Sequence, residues 1–193
     1  MTTHHPMDPI FDEIRAAMDS GLYYLAIAVA LSVPDVCASL ELDPDPALIK
    51  KNRQFSGNRY AAWFSKYMQR HYSNLTGEDC YRLRCGVLHA GKMGRPDDQY
   101  DRVMFEVPSE HSNNNHETLM EGNVLDGTPQ PHQRVLILLA VDFCEEVIDA
   151  AHAWYRDRSE DAFVQANMHS LVKMHPRGIE PYSVFIGPTP VIG

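Results

Sequence analysis

Apolar positions recur at helical spacing from the start of the chain. Ile10, Ile14, Ala17, Met18, Leu22, Leu25, Ile27 and Val29 follow the i, i+3/i+4 rhythm of an amphipathic helix. Asp8-Pro9 suits its opening, with aspartate as N-cap and proline at the first helical position. From Gly21 to Val33 the chain is apolar on nearly all sides, so this part is expected to lie centrally. Pro34 breaks it, and residues 34–41 read as a short second helix. Asp43-Pro44-Asp45-Pro46 is a rigid polar connector, followed by a short helix over 46–52. A further helix starts near Gly57-Asn58 and carries Tyr60, Trp63, Phe64, Tyr67 and Met68 on one side. Thr76-Gly77-Glu78-Asp79 caps the next helix and fills its first turn with acids, and Gly91 stops it.

The rhythm changes after residue 101. Arg102 to Pro108 alternates and favours a strand; Thr118 to Leu125 reads as a second strand. Glu110–Asn115 is a polar loop, and Gly127–Pro131 a turn. Arg134 to Val141 reads as a buried strand, the alternative being the start of the next helix. Asp142-Phe143-Cys144-Glu145 resembles a capping box, with a helix to about Arg156. Asp161–Met174 is a further helix, and the Pro- and Gly-rich tail is extended and irregular. The expected fold is mainly α, within an α+β class. It is one domain over 1–193: N-terminal helices over 8–91, a small antiparallel β-rich insertion over 101–141, C-terminal helices over 142–175 and a tail over 176–193.

Composition is that of an ordinary globular chain, with 44% hydrophobic and 22% charged residues. Four dispersed cysteines, Cys37, Cys80, Cys85 and Cys144, suit reduced, mostly buried thiols rather than a disulfide framework. The apolar run Val135 to Val141 is far short of the roughly 20 residues that span a bilayer. The N-terminus lacks a secretion signal's basic start and apolar core. A cytoplasmic protein without a membrane partner is expected, and His4-His5 reads as a disordered terminus. The net charge of −9 is unevenly distributed: residues 50–102 hold eleven basic and five acidic residues, net +6, against −15 elsewhere. Global acidity disfavours non-specific duplex binding, whereas the basic middle leaves room for a focused anionic site. A mixed-sign solvated surface is the plainer reading.

The stretch Glu78 to Gly91 concentrates candidate chemistry. Arg84 and His89 stand five apart, about 140° on an ideal helix, so a loosened last turn or a partner helix is needed to bring them together. Metal-independent RNA cleavage needs a base for the ribose 2′-hydroxyl proton and a cation for the crowded phosphorane-like transition state. Histidine titrates near neutrality and suits the first role; arginine's permanently charged fork suits the second. The bland alternative pairs Arg84 with an acid of another helix and His89 with a carbonyl at the helix end. Arg82 is better placed as an i,i+4 partner of Glu78 than as a phosphate contact. Arg59, Lys66 and Arg70 beside the aromatic stripe make a weak RNA-binding set with Arg82, the stripe itself reading more simply as core. Cys85 and His89 with Cys80 lack a paired knuckle, and His111, His116 and His132 define no site, so no metal is expected. No Walker A loop, dinucleotide fingerprint, nucleophile elbow or HExxH occurs, so no cofactor is expected.

Arg84-Cys85-Gly86-Val87-Leu88-His89, followed by Ala90-Gly91, resembles the R-x4-6-H signature of the HEPN superfamily. That resemblance implies a compact bundle of four or five helices. It further implies either an RNase of toxin–antitoxin, abortive-infection or CRISPR-associated type, or a non-catalytic module that binds nucleotides or proteins. It casts Arg84 as the phosphate-stabilising arginine and His89 as the catalytic histidine of a homodimer with a composite site. RNA and an antitoxin or other protein are the implied partners. Cys85 departs from the family, which usually has a polar residue there.

Overall fold

The computed structural model describes residues 5–45, 48, 56–93, 99–112, 115–125, 128–172, 174–175 and 190–193. The expected helix at 46–52 and most of the tail lie outside these residues. The described chain is mainly helical with a small mixed sheet. Its helices are α1 (Asp8–Asp19), α2 (Tyr23–Ala30), α3 (Val33–Leu40), α4 (Ser56–Tyr67), α5 (Gly77–Ala90), α6 (Ala140–Arg158) and α7 (Ala162–Asn167). Its strands are β1 (Arg102–Glu106), β2 (Glu117–Leu125), β3 (Thr128–Leu139), β4 (Met174–His175) and β5 (Val191–Ile192).

The central element is α6, whose Phe143, Cys144, Val147, Ile148, Ala151 and Trp154 are all buried. It packs against α1, α2, α3 and α4. Its first residues come from the ambiguous stretch: β3 ends at Leu139 and the helix begins at Ala140. No side-chain cap is present, so Asp142 and Glu145 are not a capping box. Asp142 lies in the first turn, and Glu145 receives Arg15 of α1 at 2.7 Å. The helix opens without a cap because it continues directly from a strand.

Helix α2 was expected at the centre and is not there. Ala26, Ile27 and Ala30 are buried, but Leu22, Leu25 and Val29 are exposed, Leu25 by 54%. An all-round apolar helix has no polar face to mark the side turned to solvent. Tyr23–Leu40 is apolar enough over 18 residues for a membrane span, but half of it is buried and it divides into α2 and α3. Asp8 is the first residue of α1 rather than its cap; its carboxylate accepts the His5 N–H at 2.9 Å. His5 is itself buried, against Phe11, His152 and Tyr155, and so is not part of a disordered end.

The larger sheet has the order β1-β3-β2. β2 and β3 pair antiparallel, as expected of the insertion, but β1 runs parallel to β3, so the insertion is mixed rather than antiparallel. Alternation along β1 specifies its faces, not its direction. Pro129 and Pro131, expected in a turn, lie within β3. They are tolerated because β1 pairs only with Val135–Leu139, which leaves the start of β3 as an edge. Helix α7 ends well before Met174: the chain tightens into a 3-10 turn in which the Ser170 hydroxyl donates to the Asn167 carbonyl at 2.6 Å. Met174–His175 instead pairs antiparallel with Val191–Ile192, so the end of the tail is ordered as a strand.

Helix α5 is positioned at its N-terminus by three sets of bonds. Thr76 caps the helix as expected, and Asp79 returns the bond to complete a capping box. Glu117 of β2 accepts the backbone N–H groups of Ser73, Asn74 and Leu75 at 2.8–3.1 Å. Tyr100 donates its hydroxyl to the Asn74 carbonyl at 2.6 Å. Gly77 then lets α5 lie directly on α4: a Cβ there would stand 2.6 Å from the Ala61 carbonyl oxygen and 2.7 Å from its Cα. Gly77→Ala is therefore expected to cost about 1–3 kcal/mol by overpacking, measured by urea unfolding. Gly122→Ala, with open space around its Cβ, is the control expected to change stability far less.

Candidate functional site: an arginine–histidine pair at a helix end

Arg84 and His89 meet without any loosening of the helix. Arg84 Nη1 lies 3.2 Å from His89 Nε2, while α5 stays helical to Ala90. Arginine only donates, so Nε2 must carry the acceptor lone pair and the imidazole proton belongs on Nδ1. The arginine's length closes the 140° gap: its side chain sweeps along the helix surface to the last turn. His89 is exposed.

The backbone beyond the histidine turns back sharply. Gly91 takes a left-handed conformation at φ 60°, and the Gly91 and Lys92 N–H groups both reach the Gly86 carbonyl. A Cβ on Gly86 would stand 2.5 Å from the Lys92 carbonyl oxygen. The two glycines of the signature stretch thus build the helix stop that presents His89.

Sequence reasoning missed Asp35. It sits in the first turn of α3, and its Oδ2 is 2.7 Å from Arg84 Nε. The Nε–H makes no directed hydrogen bond, so this contact is an ion pair. Both side chains are about one-fifth exposed, at 22% and 21%. The signal available was an acid just after the helix-opening Pro34, which the macrodipole alone already explains. Burial raises the Asp35 pKa above its ordinary 3.8, and the charges of Arg84 and Arg59 oppose that rise. Beneath the pair, Tyr60 donates to the Leu31 carbonyl at 3.1 Å and meets Cys80 Sγ at 3.2 Å. Burial pushes the Cys80 thiol to about 12. All four cysteines are free; Cys85 is half-buried and the other three are buried.

The weak RNA-binding set does not assemble around this pair. Arg82 pairs with Asp79 at 3.4 Å, not with Glu78 as expected, because the capping-box carboxylate is already fixed one turn away. Arg70 lies beyond α4 and donates to His71 Nε2 at 2.9 Å. Arg59 and Lys66 line a separate cavity that neither Arg84 nor His89 lines. The aromatic stripe of α4 is core: Tyr60, Trp63, Phe64 and Tyr67 are buried.

His5, Asp8 and His152 bring possible ligand atoms within 4.8 Å. Yet His5 Nδ1 accepts the Met7 N–H at 3.0 Å, and its Nε2 meets the Ala151 carbonyl at 3.3 Å. The backbone has claimed both ring nitrogens. His116, unassigned from sequence, joins Glu146 of α6 at 2.7 Å, and the Tyr72 hydroxyl donates to the same carboxylate at 2.6 Å.

No family model, curated protein or solved structure matches the chain. The site therefore rests on its own geometry.

The raised Asp35 pKa carries a definite sign. The folded chain holds this proton more tightly than the unfolded chain, so protonation favours folding. The carboxyl's own contribution to stability rises as pH falls through its folded pKa towards 3.8. Asp35→Asn is expected to remove that rise, as read from urea midpoints compared between pH 7 and the acid side of the window.

Proposed function

We propose that the chain is a HEPN-like, metal-independent endoribonuclease of defence or toxin type. The observation that carries this reading is the 3.2 Å contact between Arg84 and His89 at an exposed helix end. His89, with its Nε2 lone pair available once a substrate displaces the arginine, takes the 2′-hydroxyl proton. The 2′-oxygen attacks the neighbouring phosphorus, and the 5′-oxygen leaves with a proton from a second acid. Products are a 2′,3′-cyclic phosphate and a 5′-hydroxyl. Arg84, tethered at Nε by Asp35, offers its remaining N–H groups to the phosphate oxygens.

A homodimer fits this chemistry, since a second copy's histidine would supply the acid. Leu25 and Val29 of α2, with Leu22 just before it, form an exposed stripe, and Leu88 is exposed beside His89. Helices α2 and α5 touch, with the Tyr24 hydroxyl donating to the Val87 carbonyl at 3.3 Å. Burying this stripe against a second copy would bring two α5 ends together. The proposed setting is the cytoplasm, with an antitoxin or other protein as regulator.

The Arg84–Asp35 ion pair favours a second reading, a non-catalytic module that binds a nucleotide or a protein. A carboxylate already partnering the arginine weakens its pull on phosphate, and Cys85 stands where the superfamily that the chain resembles usually has a polar residue.

Incubation of the purified protein with end-labelled RNA in EDTA separates the two. Cleavage with 2′,3′-cyclic ends is expected. Arg84→Ala and His89→Ala are each expected to lower the rate by about 100-fold or more, with the elution volume on gel filtration unchanged. Undiminished cleavage in both variants would end the assignment, and binding without cleavage by the parent protein would select the second reading.

A further inference from the structure

In the nuclease reading, Arg84 and His89 engage one phosphate and its ribose, and the rest of the strand needs another hold. Charge does not supply it. The protein carries a net −9. Lys66 is paired with Asp157, Arg82 with Asp79, and Arg70 donates to His71. A duplex is bound largely through phosphates neutralised along a basic track. An unpaired strand needs no such track, because its free bases stack on aromatic side chains.

The two most exposed phenylalanine, tyrosine or tryptophan side chains among the described residues are Tyr24, at 53%, and Phe163, at 42%. Phe163 belongs to α7. Tyr24 is the one bonded to α5: its hydroxyl donates to the Val87 carbonyl at 3.3 Å. Val87 stands two residues before His89, among the last carbonyls of the helix, which have no partner within it. The bond therefore holds the ring at the helix end that presents His89. Tyr24 also points away from the apolar stripe proposed to pair two copies. On an ideal helix it stands about 100° from Leu25 and about 140° from Val29.

We infer, resting on the nuclease reading, that the substrate is single-stranded RNA and that a nucleobase next to the scissile phosphate stacks on the ring of Tyr24. The ring holds the strand while Arg84 takes the phosphate. Its hydroxyl bond to Val87 restrains the ring beforehand, so less freedom is lost when a base docks.

The test separates binding from cleavage. A fluorescein-labelled hexanucleotide of mixed sequence, 2′-O-methylated throughout, lacks the attacking hydroxyl and stays intact. Its affinity is read by fluorescence anisotropy, beside an abasic hexamer of the same charge and the same hexanucleotide annealed to its complement. The parent protein is expected to bind the single strand roughly tenfold or more tighter than the abasic hexamer, and tighter than the duplex. Tyr24→Leu should lose about tenfold for the single strand and nothing for the abasic hexamer. Tyr24→Phe keeps the ring without the hydroxyl bond and should retain most of the affinity; Phe163→Leu should retain all of it. The proposal is overturned if the parent does not bind the single strand, if the abasic hexamer or the duplex binds as tightly, or if Tyr24→Leu binds like the parent. A loss in Tyr24→Phe equal to that in Tyr24→Leu would trace the effect to the helix-end bond and overturn the stacking role. Cleavage of unmodified RNA in EDTA keeps the two claims apart. Binding that depends on Tyr24, without cleavage by the parent, would leave the stacking site standing and remove the nuclease reading. Cleavage with KM unaltered in Tyr24→Leu would do the reverse.

Discussion

The register of helix α5 is the constraint on which the candidate site depends. At one end, Gly77 sits so close to the Ala61 backbone that no methyl group fits between them. At the other, the chain folds back over Gly86 after the left-handed Gly91. Both contacts are backbone against backbone, which side-chain rotation cannot relieve. The first contact holds the helix against α4 and the second shapes the turn that follows His89, and the positions of Arg84 and His89 follow from the two. The Glu117 carboxylate extends this control by tying the turn before α5 to the sheet. The small β insertion is thus part of what aims the helix.

Much of this was legible in the chain. Thr76 announced the cap and Gly91 the stop, because caps depend on local backbone chemistry that residue types signal directly. The division into mainly helical segments and a small β element followed from hydrophobic period. Direction and depth were not legible. The pattern of β1 is the same for a parallel and an antiparallel neighbour, and the uniform apolarity of α2 conceals which side faces solvent. That concealment hid the Leu22–Leu25–Val29 stripe, which reads as an obvious exposed surface only once Ala26, Ile27 and Ala30 are seen facing the core.

The site was half legible. Arg84 and His89 were singled out together, but an ideal-helix projection kept them apart because it treats side chains as radial spokes. A long arginine lying along the surface spans five residues. Asp35 was invisible for another reason: its partner is 49 positions away in the chain, and an acid in a helix's first turn has a sufficient local explanation. The scattering of Arg59, Lys66, Arg70 and Arg82 shows the limit of charge counting. The basic middle segment is divided among a capping carboxylate, a histidine and a separate cavity rather than gathered into one groove.

The direct test of this account is the tautomer of His89, read from long-range 1H–15N spectra of the imidazole nitrogens at a pH where the ring is neutral. If Arg84 holds it as described, the proton resides on Nδ1 in the parent protein and moves towards Nε2 in Arg84→Ala. An identical tautomer balance in the two proteins would mean that the guanidinium and the imidazole do not engage each other, and the site built on their contact would fall with it.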